Sequence, residues 1–422
     1  MILGDFMSDD FLNTTENAVK DGNFGNKVIA LLSSLLVVAL LIANFAMKDR
    51  NFSESENRTL ASFPEFEFSE FACGEYFSKV TTYLKDQFPG RDGLMALYAG
   101  FQQFLLKTEI NNIYLCEDDY LIEKEKNTDN AYVIKKLSRF ISKINEDINV
   151  SVMLAPTSLT VNEDKLPLFA SGNEEDNIAE IYAALDELSK DVNLIELSKI
   201  LKDNNGVENE SLAGASDSVS PEVLRLSSQL YYKTDHHWTS FGAYYAYVSY
   251  ANSLGLSVNE MKDYDISVVG RDFYGSFFTK VGLKNLTSSD VITAFYPLSY
   301  DDLSVTYNGK TSYDNEGNEI SLFNTDYLSL RDKYSYFLNN QNTIVEIVNP
   351  NITDGSHLVL VKDSYANSLI PFLTDYYAKI TVIDTRYMLG ASDFINANDV
   401  TDVLILFNMG TIYADPALDN LF

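Results

Sequence analysis

Residues 28–47 read VIALLSSLLVVALLIANFAM, twenty residues without a charge, a proline or a glycine. At a helical rise of about 1.5 Å per residue such a run spans about 30 Å, the thickness of a bilayer's hydrocarbon core. No other feature limits the fold as much, because it dictates which part of the chain can meet water. Lys27 precedes the run, and Lys48 and Arg50 follow it. A cleaved signal peptide is the rival reading. Against it stand the length of the run, the acidic balance of the residues before it and the lack of a small-residue cleavage site after it. A buried core helix would need the chain to surround an all-apolar cylinder. The expectation is one uncleaved transmembrane helix over 28–47, a short cytoplasmic tail at 1–27 and the rest outside the cytoplasm. The flanking charges give the positive-inside rule no clear vote. The orientation therefore rests on the size of the C-terminal part and on its chemistry.

Asp and Glu number 61 against 31 Lys and Arg, a formal net charge of −30. Nucleic acid is excluded as a partner, because its binding depends on cations that neutralise phosphates. Long contact with an anionic membrane surface is disfavoured for the same reason. An apolar fraction of 46% over 422 residues is ample for one large decorated domain or two smaller ones, and excludes global disorder. With only Cys73 and Cys116, neither a disulfide scaffold nor a Cys-rich zinc site can form. Two unpaired thiols are expected, with a single bridge as the alternative.

Beyond the membrane run, residues 48–110 carry two amphipathic helical stretches separated at Pro89-Gly90 and form a juxtamembrane segment. From 111 to 422 helix and strand patterns alternate. NVSVMLAP (149–156) and VNLIEL (192–197) read as strands flanking the helical stretch 177–191. Residues 203–221 are a polar loop, and 283–325 carry turn signals that suggest a β-rich insertion. HLVLVKDS (357–364), KITVID (379–384) and DVLILFN (402–408) are near-continuous apolar strands, and a helical pattern over 365–378 follows the first. Such strands alternating with helices predict an α/β fold with a mostly parallel sheet covered on both faces.

The stretch YYKTDHHWTS (231–240) holds the only tryptophan and two of the three histidines. In an extended chain Asp235 and His237 share a face and His236 points away. A carboxylate there can accept the His237 Nδ1–H and orient the ring as a base. The matching nucleophile is Ser364, placed where an apolar strand gives way to a helix, with its N–H at the helix start. Each half has an ordinary alternative: Asp-x-His recurs by chance, and Ser364 can be a simple helix cap. His357 reads as the start of a strand and nothing more. A metal site of Asp235, His236 and His237 is the weaker reading, since adjacent side chains in a strand diverge. After Trp238, Ser240 is placed to cap a helix that ends at Gly255.

The run Thr234-Asp235-His236-His237-Trp238 resembles the signature of the bacterial DHHW family. That family is similar to the alginate O-acetyltransferases AlgJ and AlgX of the SGNH-hydrolase-like superfamily. Further stretches fit: 52–66, 83–94, 113–123, 273–282, VKDSYANSLIPFL (361–373) and 383–388, most of the chain after the membrane run. The resemblance implies an extracytoplasmic SGNH-like three-layer α/β/α domain over 111–422. It implies Ser364 as nucleophile, His237 as base and Asp235 as orienter, with no metal and no cofactor. The serine follows Lys362-Asp363, without the glycine of a GDS block. Asn367 and Asn408 are the oxyanion candidates. Tyr365 is a candidate for sugar contact, alongside Tyr231 and Tyr232. Arg386 is a candidate for an anionic substrate group, or else an ion-pair partner of Asp384. His236 and Trp238 are expected to hold the loop. The implied activity is a membrane-anchored serine O-acetyltransferase whose acceptor is a polysaccharide and whose donor partner is a multi-span membrane O-acyltransferase. A carbohydrate acetylesterase with the same triad and a non-catalytic polysaccharide-binding scaffold are the alternatives.

Overall fold

The computed structural model describes residues 8–53, 58–126, 128–212, 220–282, 287–340, 342–413 and 418–422. The start of the predicted tail, part of the 52–66 stretch, the middle of the polar loop and the first residues of the predicted insertion lie outside the described residues. The chain divides into two compact units, Met1–Tyr98 and Ala99–Phe422.

In the first unit, helix α1 (Ser8–Ala46) contains the apolar run except for its last residue, Met47. The segment Gly25–Asn44 has a mean hydropathy of 2.3, and of it only Asn44, at its very end, is buried by the rest of the chain. A core helix of this chain is thereby excluded, whereas a membrane anchor and a signal sequence both fit. At its C-terminal end the Asn44 amide donates to Leu84 O at 3.4 Å, and the Tyr83 hydroxyl donates to Asp49 at 2.9 Å. These bonds fasten helix Glu75–Asp86 beside the end of the apolar run.

The second unit is built on a seven-stranded sheet. Its strands are β1 (Asn149–Ala155), β2 (Val192–Ile195), β3 (Ser304–Tyr307), β4 (Ile344–Val348), β5 (His357–Lys362), β6 (Lys379–Asp384) and β7 (Asp402–Asn408). Their spatial order is β3-β4-β6-β5-β7-β1-β2, parallel from β6 to β2, with β3 and β4 antiparallel at one edge. The strand β5 is central, and all six of its residues are buried. Leu358 and Leu360 point into one apolar layer, and Val359 and Val361 into the other. The apolar run Leu358–Val361 suits a strand with two covered faces. Helices α2 (Asn130–Ile141), α3 (Glu174–Asp186) and a short helix, Ala391–Ala397, pack on one face. Helix α4 (Ser240–Ser253) covers the other. The result is the three-layer α/β/α class expected from the sequence.

Within the range read as a β-rich insertion, Ser304–Tyr307 is the edge strand β3, while Asp290–Tyr296 pairs with Asp265–Phe273 in a separate antiparallel ribbon. Two local expectations need correction. The helical stretch after Ser364 is a tight 3-10 turn, Ser364–Ser368, followed by the single helical turn Ile370–Leu373. Pro371 belongs in a first helical turn and cannot lie inside a continuous helix, so the chain restarts there. The cap of α4 is Thr239, whose hydroxyl accepts from Gly242 N–H, and the Ser240 hydroxyl donates to Thr293 O at 2.6 Å.

Candidate active site

Tyr231 and Trp238 bridge in antiparallel fashion, Thr239 N–H donates to Leu230 O and Tyr232 N–H donates to His237 O. Residues 233–237 form the bent tip between these arms rather than an extended strand. The alternation assumed from the sequence therefore fails. The His236 ring does not point away but lies on the His237 ring, centroids 3.8 Å apart.

The bend is held from outside. Asp290, buried at the start of the ribbon strand, accepts from Thr234 N–H (2.8 Å), the Thr234 hydroxyl (2.6 Å), Lys233 N–H (2.9 Å) and Gln229 (3.0 Å). Burial raises its carboxyl to about 6 against these four stabilising donors. Replacing Asp290 with alanine leaves buried donors unpaired, which should cost about 3 kcal/mol of stability by chemical denaturation and lower activity with it. Thr234 O in turn accepts from Phe277 and Phe278 N–H in helix α5 (Ser276–Val281).

Asp235, His237 and Ser364 form one hydrogen-bonded chain. Asp235 Oδ1 accepts from His237 Nδ1 at 2.6 Å, and Ser364 Oγ lies 2.8 Å from His237 Nε2. The Asp235 contact assigns the ring proton to Nδ1 and leaves Nε2 free to take the serine proton. The second carboxylate oxygen accepts Ser276 N–H at 2.7 Å, which fixes the aspartate at the head of α5. Asp235 and His237 are buried, whereas Ser364 is half-exposed at the C-terminal end of β5. Such a chain can deprotonate a serine hydroxyl toward an electrophile.

Two imidazoles share one carboxylate here, and exposure decides between them. The His236 side chain is 32% exposed against 6% for His237. Burial opposes charge on His236, yet Asp235 prevails and raises it. Burial, then the His236 charge, hold His237 down to about 3 in spite of Asp235. Burial likewise opposes charge on Asp235, but the two imidazoles keep its carboxyl well below the ordinary range. Protonating His237 removes the acceptor for the Ser364 proton, so any reaction that uses this acceptor is lost as pH falls through the folded value of His237, which lies below the ordinary 6.5. The rate of acyl-serine formation should therefore stay nearly level from about pH 7 to pH 5. A burst measurement showing a limb at the ordinary histidine value would contradict this.

The turn bearing Ser364 is latched to the bent loop. Trp238 Nε1 donates to Tyr365 O (2.9 Å) and to the Ser368 hydroxyl (3.0 Å), and the Tyr365 hydroxyl donates to His236 O. Tyr365 is wholly buried, as are Tyr231 and Tyr232, so none of the three offers a face to a sugar. Asp363 Oδ1 caps the turn through Tyr365 N–H. Its other oxygen accepts from Asn408 N–H, Asn408 Nδ2 and the Thr411 hydroxyl. Asn408 Nδ2 also donates to Thr411, so its amide is occupied in holding Asp363 and is unsuited to an oxyanion. Asn367 differs: Lys362 Nζ donates to its Oδ1 at 2.8 Å, and its Nδ2 has no hydrogen-bond partner among the described residues. Arg386 makes two side-chain bonds to Asp384, at 2.9 and 2.6 Å, the ion-pair alternative of the sequence reading.

Tyr334 carries no local pattern that marks it in the sequence. Its ring stacks on His237 at 3.6 Å and 11°, opposite His236, and its hydroxyl donates to Ser364 O at 3.0 Å. Asp290, Ser276 and Tyr334 come from distant segments and carry no local pattern. The Asp235, His236 and His237 donor atoms lie within 4.8 Å of one another, close enough to consider a metal. Yet the His237 nitrogens bond Asp235 and Ser364, and His236 Nδ1 bonds Ser276 at 2.8 Å. A cation there would have to break the Ser364 bond or the Asp235 bond.

A DHHW protein from Eubacterium siraeum is 24% identical, with a TM-score of 0.57 over 74% of this chain and 96% of its own. Bacillus cereus PatB1, described with a sulfonyl adduct, is 18% identical at a TM-score of 0.55 over 74% and 99%. The O-acetyltransferase domain of Pseudomonas putida AlgJ is 11% identical at 0.40 over 72% and 92%. No curated protein matches. The family model of the DHHW protein matches residues 56–184 and 222–383, a range that includes both the bent loop and Ser364, and the chain belongs to that family.

Proposed function

We propose that the chain is a membrane-anchored serine O-acetyltransferase acting outside the cytoplasm on a polysaccharide. The observation that carries the reading is the continuous Asp235–His237–Ser364 chain at 2.6 and 2.8 Å, at the C-terminal end of a central strand. Ligands of open α/β sheets bind at that end.

In the first half-reaction Ser364 Oγ attacks the donor's acetyl carbonyl while its proton passes to His237 Nε2. The leaving group departs with that proton, and acetyl-Ser364 remains. In the second half the acceptor hydroxyl gives its proton to His237 and attacks the acetyl carbon, and Ser364 recovers the proton as it leaves. Asp235 keeps the ring in one tautomer and stabilises the imidazolium. Ser364 N–H and Asn367 Nδ2 are the donors proposed for the oxyanion. A multi-span membrane O-acyltransferase is the proposed source of acetyl groups, and helix α1 holds the domain near it.

The full chain in detergent, mixed with an activated acetyl ester, should gain one acetyl group at Ser364 by peptide mass spectrometry. The His237→Ala variant should gain none. A folded chain that remains unmodified in the presence of an authentic donor would end this reading. Release of the acetyl group to water as fast as to sugars would make the protein an esterase.

A further inference from the structure

We propose that Lys362 is a positioning residue: its buried ammonium holds the Asn367 amide in the one orientation that turns Nδ2 toward the oxyanion formed at Ser364. The proposal rests on the acyl-transfer reading above, with Asn367 as an oxyanion donor.

A buried ammonium at the end of a central strand opposes folding unless its partners offset the lost hydration. Lys362 is the last residue of β5 and is buried. Its register partner on β6 is Asp384, whose Oδ2 lies 3.2 Å from Nζ. The carboxylate has donors enough without it. Arg386 gives Asp384 three bonds, from its backbone N–H at 3.1 Å, Nε at 2.9 Å and Nη2 at 2.6 Å. The shorter bond of Lys362 goes to Asn367 Oδ1, at 2.8 Å. The lysine is therefore placed for Asn367, and Asp384 balances its charge.

That bond decides which way the amide faces. An ammonium donates and never accepts, so the amide atom beside it is the oxygen, and Nδ2 is turned away from Lys362. Nδ2 has no partner among the described residues, yet it is not one of the sealed, unpartnered polar atoms of the interior. Asn367 is the third residue after Ser364 in the Ser364–Ser368 turn, and in a 3-10 turn side chains three apart line up on one side. Nδ2 thus stands open on the side of the reacting hydroxyl. Without the ammonium, the Asp384 carboxylate that remains draws Nδ2 to itself. The amide then turns over and sets Oδ1 against the developing negative charge.

The test is a double-mutant cycle on the full chain in non-ionic detergent, with Lys362→Met, Asn367→Ala and the two combined. The burst of p-nitrophenol from p-nitrophenyl acetate gives the acetylation rate, and peptide mass spectrometry confirms the acetyl group on Ser364. Asn367→Ala should slow acetylation by about a hundredfold and Lys362→Met by at least about tenfold, with the half-saturating ester concentration changed by less than about twofold. The double variant should be no slower than Asn367→Ala, because the lysine then has nothing to orient. Losses that multiply, or a Lys362→Met rate within about threefold of the parent, would overturn the proposal. Asn367→Asp leaves the buried lysine paired and serves even where Lys362→Met does not fold. Lys362 should hold one oxygen of the new carboxylate and leave the other facing the oxyanion, so this variant should be slower than Asn367→Ala. A faster rate would mean that residue 367 does not face the oxyanion, and the proposal would fall. A parent chain that forms no acetyl-Ser364 overturns the acyl-transfer reading and this proposal together, whereas multiplying losses in a chain that does form it overturn the role of Lys362 alone.

Discussion

The Ser364→Ala variant should lose acyl transfer by about four to six orders of magnitude while folding normally. Ser364 is half-exposed, the one side-chain hydrogen-bond partner of its hydroxyl among the described residues is His237 Nε2, and removing the hydroxyl takes away a single atom. Stability should therefore change by about 0.5 kcal/mol or less. Non-additivity is the sharper check. If Ser364 and His237 act as a unit, Ser364→Ala with His237→Ala should be no slower than either single variant. Independent, multiplying losses in single-turnover acetylation would mean that His237 does not act on Ser364. A Ser364→Ala variant retaining more than about one per cent of the rate would remove the serine from the mechanism.

Adding one methyl group at Gly275 should be nearly as damaging, for a purely steric reason. The backbone there, φ −82° and ψ −161°, suits any residue. A Cβ at that position, however, would stand 2.3 Å from Asp235 Cβ and 2.4 Å from its Oδ2. Neither side can yield easily: Gly275 N–H is bonded to the Thr234 hydroxyl, and Ser276 N–H to the same Asp235 oxygen. Either the carboxylate moves or α5 lifts away, and a displacement of about 1 Å at an orienting group costs about a hundredfold in rate. Gly275→Ala should therefore lower the acetylation rate by about two to four orders of magnitude and stability by about 1–3 kcal/mol. Burst kinetics alongside urea denaturation separate the two effects. A rate within threefold of the parent would show that Asp235 does not need its present position.

The strands β5 and β7 were legible because a strand covered on both faces must be apolar along its middle, and LVLV and LILF are. Asp235, His237 and Ser364 stood out through scarce residue types and a strand-to-turn junction. The His236 orientation did not, because alternation holds only in extended chain and Asp290 bends this loop. The helix drawn through Pro371 failed on a residue visible in the sequence but outweighed by the apolar pattern around it. Tyr334, Asp290 and Ser276 were illegible for a different reason. Each reaches the site from between 30 and 57 residues along the chain, through a contact that only the tertiary fold creates. Asn408 had the right position and the wrong task, since its amide is turned to Asp363.

The place of β7 in the sheet sets a schedule for the nascent chain. His237 and Ser364 are 127 residues apart, and Asp363 is held by Asn408 and Thr411, which emerge still later. In the sheet, β7 lies between β5 and β1, so the half made first cannot join the half bearing Ser364 until residues 402–408 arrive. Chains grow from the N-terminus at about 5–20 residues per second, and long-range parallel pairing is slow even after that. A chain still being made thus carries its aspartate, histidine and serine as unassembled parts, and completes the Asp235–His237–Ser364 chain only once the last central strand has emerged.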